Sequence, residues 1–410
     1  MIKAVAVHCF LLQRWPFSPT FALLCKAIEE ALERNARLAH ISTDVARELP
    51  GKVLSAWTQS ARAKAVITHL RKATTDPASS DGPTIMKLLQ EYWGTLFTQR
   101  PVSSSSMVAL MACAQWKSLG EFLTVEEVSS ALAKTRRGSA PGPDGLPAEF
   151  YALFPSLLPK IVNMINYCYG RGCVPRSWHE ALLQVLPKED KNSTIVSNYK
   201  PIILMCCDYK LMAAVLANYL QVELGTRGYF PSHQTGFIRG RSIYKPILRV
   251  AEWASSGQYT VCLLDFEKAY DRVQHSWLFQ CLEAAGLPRV FRAFVQAALA
   301  GASLKIWVNG SLSPSISVTS EVRQGDPLSP LLFNFALKPL LLALHKAGIK
   351  AQAHADDTAL ALISVKEAHT ALNIITQYEE ASGMLLNRHK SVALAQATNK
   401  TAATTSFNTL

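Results

Sequence analysis

The stretch Gln352-Ala353-His354-Ala355-Asp356-Asp357-Thr358-Ala359-Leu360-Ala361-Leu362 decides how this chain is read. Two adjacent carboxylates interrupt a small, apolar, strand-like run, a costly place for charge. On a regular strand neighbouring side chains point to opposite faces, so Asp356 and Asp357 serve one site only where the backbone turns, as at a hairpin tip. A tight acidic hairpin suits a divalent cation, which needs more oxygens than two carboxylates supply. A third acid is expected from Asp265, which ends the continuous apolar run 259–264 just ahead of a helix signal at Phe266–Arg272. A carboxylate at a strand end sits at the sheet edge, where ligands of α/β folds gather. A simple helix cap is the plainer alternative for Asp265.

Composition sets the bounds. The chain has 410 residues, is 49% hydrophobic and 18% charged, and has a mean hydropathy of +0.11, so it can bury a large core and is not a disordered chain. Its length predicts two or three structural units. A formal net charge of +12 favours a polyanionic partner, and no long basic amphipathic helix points to a membrane surface, so nucleic acid is the expected partner. The nine cysteines are odd in number, lie mostly in apolar runs and show no zinc-ligand spacing, which predicts buried free thiols in a reducing compartment. Ala4–Leu12 has the look of a short signal peptide, but Gln13 and Arg14 end it and no small-x-small cleavage site follows. The expected location is intracellular, in nucleus or cytoplasm, and no stretch reaches the ~18 to 20 apolar residues of a membrane span.

Taken in order, Phe21–Leu38, Val53–Thr75 and Ile85–Phe97 carry helical spacing, so residues 1–100 are expected to form a helical N-terminal extension. The serine-rich 100–106 reads as a linker, and 101–135 as linker plus a helix leading onward. Thr124-Val-Glu-Glu127 is a capping box opening that helix, which runs to about Lys134. The loop from Arg136 and Arg137 through Gly145 fits either an inter-element connection or a basic loop lying along a phosphate backbone. Pro147–Arg171 is expected as one core helix.

Residues 181–250 concentrate positive charge, nine Lys or Arg against four Asp or Glu. Lys188 and Lys200 each stand at the end of an apolar segment, suited to a triphosphate as point charges or to snorkelling into water. In Pro231–Ser242, Phe237 stands beside Arg239 and Arg241 in a Gly-bearing loop, a composition for stacking on, and phosphate contact with, a strand of nucleic acid. After Asp265 a helix is expected from Phe266 to about Ala285, then a hairpin of Leu304–Val308 and Ser315–Val322 across Asn309-Gly310, an Arg323-Gln324-Gly325 turn and a helix over Leu331–Ala347. Three carboxylates on neighbouring strand ends, with basic residues in front, fit two Mg²⁺ ions ~3.5 to 4 Å apart that clamp the attacking and leaving oxygens of a phosphoryl transfer. Mn²⁺ is the expected substitute.

In that order the pieces SAPGPDGLPAEFY, LPK, SNYKPIILMCCDYKLMAAVLANYL, HQTGFIRGRSI, LLDFEKAYDRV, VRQGDPLSPLLFN, AHADDTAL and GMLLNRHKS resemble the reverse transcriptase domain of LINE-type non-LTR retrotransposons over about Gly138–Lys390. The resemblance implies an α/β palm-and-fingers polymerase fold, an antiparallel sheet with helices on one face, over residues 136–395, with 396–410 as a tail and a thumb expected to be missing. It implies an RNA-directed DNA polymerase with an RNA template, a DNA primer and dNTP substrate, and no membrane partner.

On this resemblance Asp265, Asp356 and Asp357 match the catalytic metal ligands, with the Phe266 carbonyl as an extra ligand and Lys390 as a proton donor to pyrophosphate. Tyr270 matches the ring that disfavours a 2′-hydroxyl, Arg323, Gln324 and Gly325 the turn against nucleotide and template, and Lys188 and Lys200 the positions facing the triphosphate. Three departures stand out: His354 where Tyr or Phe is usual, Lys200 where Arg is usual, and Asp326, which adds a carboxylate near the nucleotide site. Among rival readings, a palm-type nucleotide cyclase gives the Arg-Gln-Gly turn and HQTGF no role. A catalytically weak nucleic-acid-binding remnant is favoured by His354 and the absent thumb.

Overall fold

A computed structural model describes residues 66–98, 106–116, 118–120, 122–189 and 191–394. In chain order the elements begin with helices α1 (Gly82–Phe97), α2 (Val125–Lys134), α3 (Ala148–Leu153), α4 (Leu158–Arg171) and the short α5 (Arg176–His179). Strands β1 (Glu180–Pro187) and β2 (Tyr199–Leu204), helices α6 (Cys207–Arg227) and α7 (Tyr244–Ser256), and strand β3 (Thr260–Leu264) follow. Then come α8 (Ala269–Arg272), α9 (His275–Ala284), α10 (Arg289–Leu299), and strands β4 (Ser303–Val308), β5 (Ser311–Leu312) and β6 (Ile316–Ser317). The order closes with α11 (Ser329–Lys346), β7 (Lys350–His354), β8 (Asp357–Leu362), α12 (Val365–Ser382) and β9 (Val392–Leu394). The fold is the mixed α/β one expected, and no helix of the described residues is long and apolar enough to cross a membrane.

The described residues fall into two compact units: those within 66–94, 122–215 and 301–317 form one, and those within 95–120, 216–300 and 318–394 the other. The first holds a sheet in the order β2-β1-β4-β5, with β6 also on β4. β1 alternates half-buried and buried residues along its length, as a strand with one face on the core does. It pairs antiparallel with β2 and parallel with β4. Thr124 caps α2 with the reciprocal Glu127 bond that the sequence signalled, worth about 1 kcal/mol. Asn166 of α4 bonds both backbone groups of Leu123 at 2.8 Å, tying the approach of α2 to α4.

The second unit holds the antiparallel sheet β7-β8-β3-β9. β8 carries apolar or small residues after Asp357 and is buried throughout the rest of its length. α11 is apolar on all sides and buried for most of its length, the pattern of a helix running through a core. Pro339 within it cannot donate to the preceding turn. In that turn the Ala336 carbonyl accepts from both Trp277 Nε1, at 3.0 Å, and Tyr378 OH, at 3.1 Å.

Several expected elements differ. The single helix over Pro147–Arg171 is split into α3 and α4 around Phe154, because Pro155 cannot extend α3. The Phe266–Ala285 helix is likewise two, broken at Val273-Gln274, where Gln274 N–H donates to Ser382 O instead of continuing the helix. Asn309-Gly310 does turn β4 into β5, but the returning strand is two short pieces and stops at Ser317. Of Val53–Thr75, residues 66–75 are not helical: Leu70 exchanges bonds with Ser79, and Arg71 with Thr194 and Val196. Phe21–Leu38 and most of the serine-rich linker lie outside the described residues. Of the seven described cysteines, all free, five are buried and Cys113 and Cys173 are exposed.

Candidate active site

Register brings the three acids to one end of the second unit's sheet. His354 pairs with Asp357 across the β7–β8 turn, and Leu264 pairs with Thr358, so Asp265, one step beyond Leu264, comes level with Asp357. The turn itself is Ala355-Asp356, with Ala355 in the left-handed region at φ 59°. Burial, together with the Asp357 and Asp265 carboxylates, pushes Asp356 above the usual carboxylate range. Lys390 Nζ stands 3.9 Å from Asp265 Oδ2, an oxygen that is buried and accepts no hydrogen bond.

Residues that the sequence pattern did not single out hold this end together. Gln234 Oε1 accepts from Ala355 N–H at 3.1 Å and from Gly236 N–H at 2.8 Å, and its Nε2 donates to Ala355 O at 3.3 Å. Thr235 N–H donates to Ala353 O, and Ala353 N–H to His233 O, so His233–Thr235 lies alongside the outer edge of β7. Gly236 packs so closely on Ala355 that a β-carbon there would overlap its backbone. Across the sheet, Ser391 Oγ accepts from Asp265 N–H at 3.1 Å, and Asn387 N–H donates to Asp265 O at 2.7 Å. The HQTG segment thus cradles the acid turn. Its Gly236, between Thr235 and the aromatic Phe237, was the available signal.

Tyr270 stacks on Phe333, with centroids 4.7 Å apart and planes 5° apart, and meets Phe237 edge-on at 6.3 Å. Burial, then the Asp356 charge, pushes its hydroxyl upward, and that hydroxyl is buried without a hydrogen-bond partner. Phe237 is 44% exposed, in the left-handed region at φ 58°. The Phe266 side chain is buried edge-on to Tyr378, while its backbone bridges Leu386.

The basic residues separate into two kinds. Arg241 spends its guanidinium on the carbonyls of Phe230, Pro231 and Gln234, pinning the loop that carries Gln234. Arg323 is 1% exposed and donates to Ala298 O, so it points into the core and leaves Gln324 and Gly325 as the outward part of their turn. Asp326 is also buried, its Oδ1 accepting from Leu328 N–H at 2.8 Å ahead of α11, and so it adds no carboxylate to an open site. Arg239 is exposed, with one nitrogen on Asn218 Oδ1. In the first unit, Lys188 and Lys200 are exposed at the end of the β1–β2 pair, where Leu186 faces Lys200. Arg136 and Arg137 are exposed on a loop anchored by Gly142 against the Met205–Cys206 backbone. The His354 imidazole Nδ1 sits 3.1 Å from Thr235 Oγ1, so its polarity is met within the cradle.

Asp356 feels the Asp357 and Asp265 carboxylates, yet the three acids are not drawn into a closed cage. Among the described residues, ligand-type atoms all within 4.8 Å of one another occur instead at Asp144, Cys206 and Asp208 of the first unit. Burial and the neighbouring Asp208 carboxylate push Asp144 up to about 7, so this pair holds a proton near neutrality.

The geometry at this end of the sheet is an acid hairpin level with a third acid on the next strand, with Tyr270 stacked on Phe333 near Asp356. The family model described as reverse transcriptase (RNA-dependent DNA polymerase) matches residues 186–407, more than half of the sequence, and the chain belongs to that family. Its relatives are proteins of non-LTR, LINE-type elements. The chain is 28% identical over 295 residues to a 149 kDa protein of transposon TX1 from Xenopus laevis, covering 68% of this chain and 22% of that one. It is 30% identical over 288 residues to a retrovirus-related Pol polyprotein of the type-1 retrotransposable element R2 from Popillia japonica, covering 66% and 39%. With an RNA-directed DNA polymerase from the mobile element jockey of Drosophila melanogaster, identity is 26% over 270 residues, covering 63% and 29%. The chain thus spans between 22% and 39% of the length of these relatives.

Proposed function

We propose that this chain is the polymerase domain of a LINE-type element, transferring nucleotides from dNTP to a primer 3′-hydroxyl on an RNA template, with residues 136–395 as fingers and palm. The observation that carries the reading is the convergence of Asp265, Asp356 and Asp357 at one sheet end, where burial and the Asp357 and Asp265 carboxylates push Asp356 upward. The site fits a divalent cation, since the buried Asp265 Oδ2 accepts no hydrogen bond and like charges held together call for a counter-ion. Asp265, Asp356, Asp357 and the Phe266 carbonyl would hold two Mg²⁺, with Mn²⁺ as substitute. Bound there, the metal would activate the primer hydroxyl and neutralise the departing pyrophosphate.

The chain's own side chains do the remaining work. Tyr270, rigid against Phe333, lies under the sugar and excludes a 2′-hydroxyl. Lys390, beside Asp265, is the proton donor to the leaving group. Gln324 and Gly325 present the turn that packs on nucleotide and template. Lys188 and Lys200 offer point charges for phosphate, and Arg136, Arg137, Phe237 and Arg239 meet the nucleic acid.

Primer extension on poly(rA)/oligo(dT) with Mg²⁺ and with Mn²⁺, beside an Asp356→Asn/Asp357→Asn control, tests the reading. Incorporation that the control abolishes is the expected result. Salt-sensitive RNA binding with no incorporation would sink it and leave a binding remnant of such an element.

A further inference from the structure

The segment after Asp265 and the turn that carries Gln324 are joined bond by bond. Val322 N–H donates to Tyr270 O at 2.9 Å, and Glu321 N–H to Val273 O at 2.8 Å. Ser320 Oγ donates to Asp271 O at 3.3 Å. At the end of this seam Gln324 Nε2 donates to Asp271 Oδ1 at 2.7 Å. Asp271 is 1% exposed, while Gln324 is half-buried, so the pair runs from the core to the outer side of the turn. Asp271 follows Tyr270 directly.

We propose that Asp271 is a positioning residue that fixes which way Gln324 turns its amide, and hence what Gln324 presents to the nucleotide. The inference rests on the reading above that Gln324 faces the incoming nucleotide. The Asp271 Oδ1 accepts from the Gln324 nitrogen, and an amide has a donating and an accepting end. Asp271 therefore draws the Gln324 nitrogen inward and leaves Oε1 as the outward acceptor. An amide free to flip would present its acceptor only part of the time, and a misplaced contact weakens nucleotide binding without touching the reacting atoms.

The test is nucleotide kinetics on the full chain with primer and RNA template. The variants are Gln324→Ala, Asp271→Ala, the two combined, Asp271→Asn, Gln324→Glu, and Asp271→Asn with Gln324→Glu. Expected are rises of about tenfold in KM for dNTP, with kcat little changed, in each alanine variant, and no further rise in the double alanine variant. The Asp271→Asn/Gln324→Glu pair should recover most of the loss, since the Asn amide can donate to one Glu oxygen and leave the other outward. Neither single exchange should match it. A parallel readout is the rise in melting temperature that dNTP gives the primer-bound chain, which requires no turnover.

A merely structural role would lower melting temperature without the KM shift or the rescue by the exchanged pair. Gln324→Ala raising KM while a folded Asp271→Asn or Asp271→Ala does not, or effects that multiply in the double variant, would overturn this inference alone. Gln324→Ala without effect on either readout, or a wild-type chain with no nucleotide response, would overturn the underlying reading and this inference with it.

Discussion

Gln234 and Ala355 are joined twice: the Gln234 amide oxygen accepts the Ala355 N–H at 3.1 Å, and its nitrogen donates to the Ala355 carbonyl at 3.3 Å. Ala355 is the left-handed residue that turns the chain so that Asp356 and Asp357 can face one site. A side chain buried to 1% exposure, more than a hundred positions away in sequence, therefore sets the backbone of the acidic hairpin. Gln234→Leu keeps the volume and removes the partner of the Ala355 N–H, the Ala355 carbonyl and the Gly236 N–H, at a cost of about 1 to 3 kcal/mol. Urea unfolding should show that loss, and primer extension should fall further than the folded fraction does. Activity tracking the folded fraction alone would refute a role for Gln234 in shaping the turn.

Gly236 stands against the same residue, with no room for a β-carbon beside the Ala355 backbone. Gly236→Ala should destabilise by about 1 to 3 kcal/mol through overpacking and displace the acid turn. Gly240, where no atom lies within 4 Å of a built β-carbon, is the nearby control for crowding, although its φ of 78° adds strain of its own on substitution to Ala. Equal denaturation midpoints for Gly236→Ala and wild type would show that the two segments move apart freely.

Tyr270 offers two substitutions with opposite expectations. Its hydroxyl is buried without a partner, so Tyr270→Phe should leave melting temperature equal or slightly higher and preserve dNTP incorporation. Tyr270→Val removes the ring stacked on Phe333 and should raise incorporation of rNTP relative to dNTP by on the order of tenfold. Unchanged sugar selectivity in Tyr270→Val would remove Tyr270 from its assigned role.

The Asp144–Asp208 pair makes stability depend on pH. Burial, then Asp208, raises Asp144 from 3.8 to about 7. With the folded-state pKa above the unfolded one, the stability tied to this proton is complete below about pH 3.8 and is lost as pH rises through about 7. Asp144→Asn removes that proton linkage. The melting temperature of the variant should therefore gain on the wild type by on the order of several degrees between pH 5 and pH 8. A difference that stays constant over this range would rule the shared proton out.

Local features were legible wherever the chemistry is local. The Thr124–Glu127 capping box, the Asn309-Gly310 turn, and the apolar run that ends at Asp265 are short-range patterns, and each appears at its place. The breaks at Phe154 and at Val273-Gln274 were not, because helical periodicity continues across them, and what ends each helix is a proline ring or a distant carbonyl.

The residues that could form a site are visible in one dimension: an acid pair that must turn, a third acid at a strand end and an excess of positive charge, with the tyrosine added by the family resemblance. Which of them face one another, and which are spent on the fold, follows from the tertiary contacts. Arg241 and Arg323 read as ligand contacts in one dimension, yet their guanidinium groups donate to backbone carbonyls at Phe230, Pro231, Gln234 and Ala298. Gln234 and Asp271 lie within the HQTGF and DFEKAYD segments without an assigned role in the sequence, yet they hold Ala355 and Gln324. The physical reason is that a buried polar group must find its partner wherever the chain returns to it, and that return is set by strand register and packing.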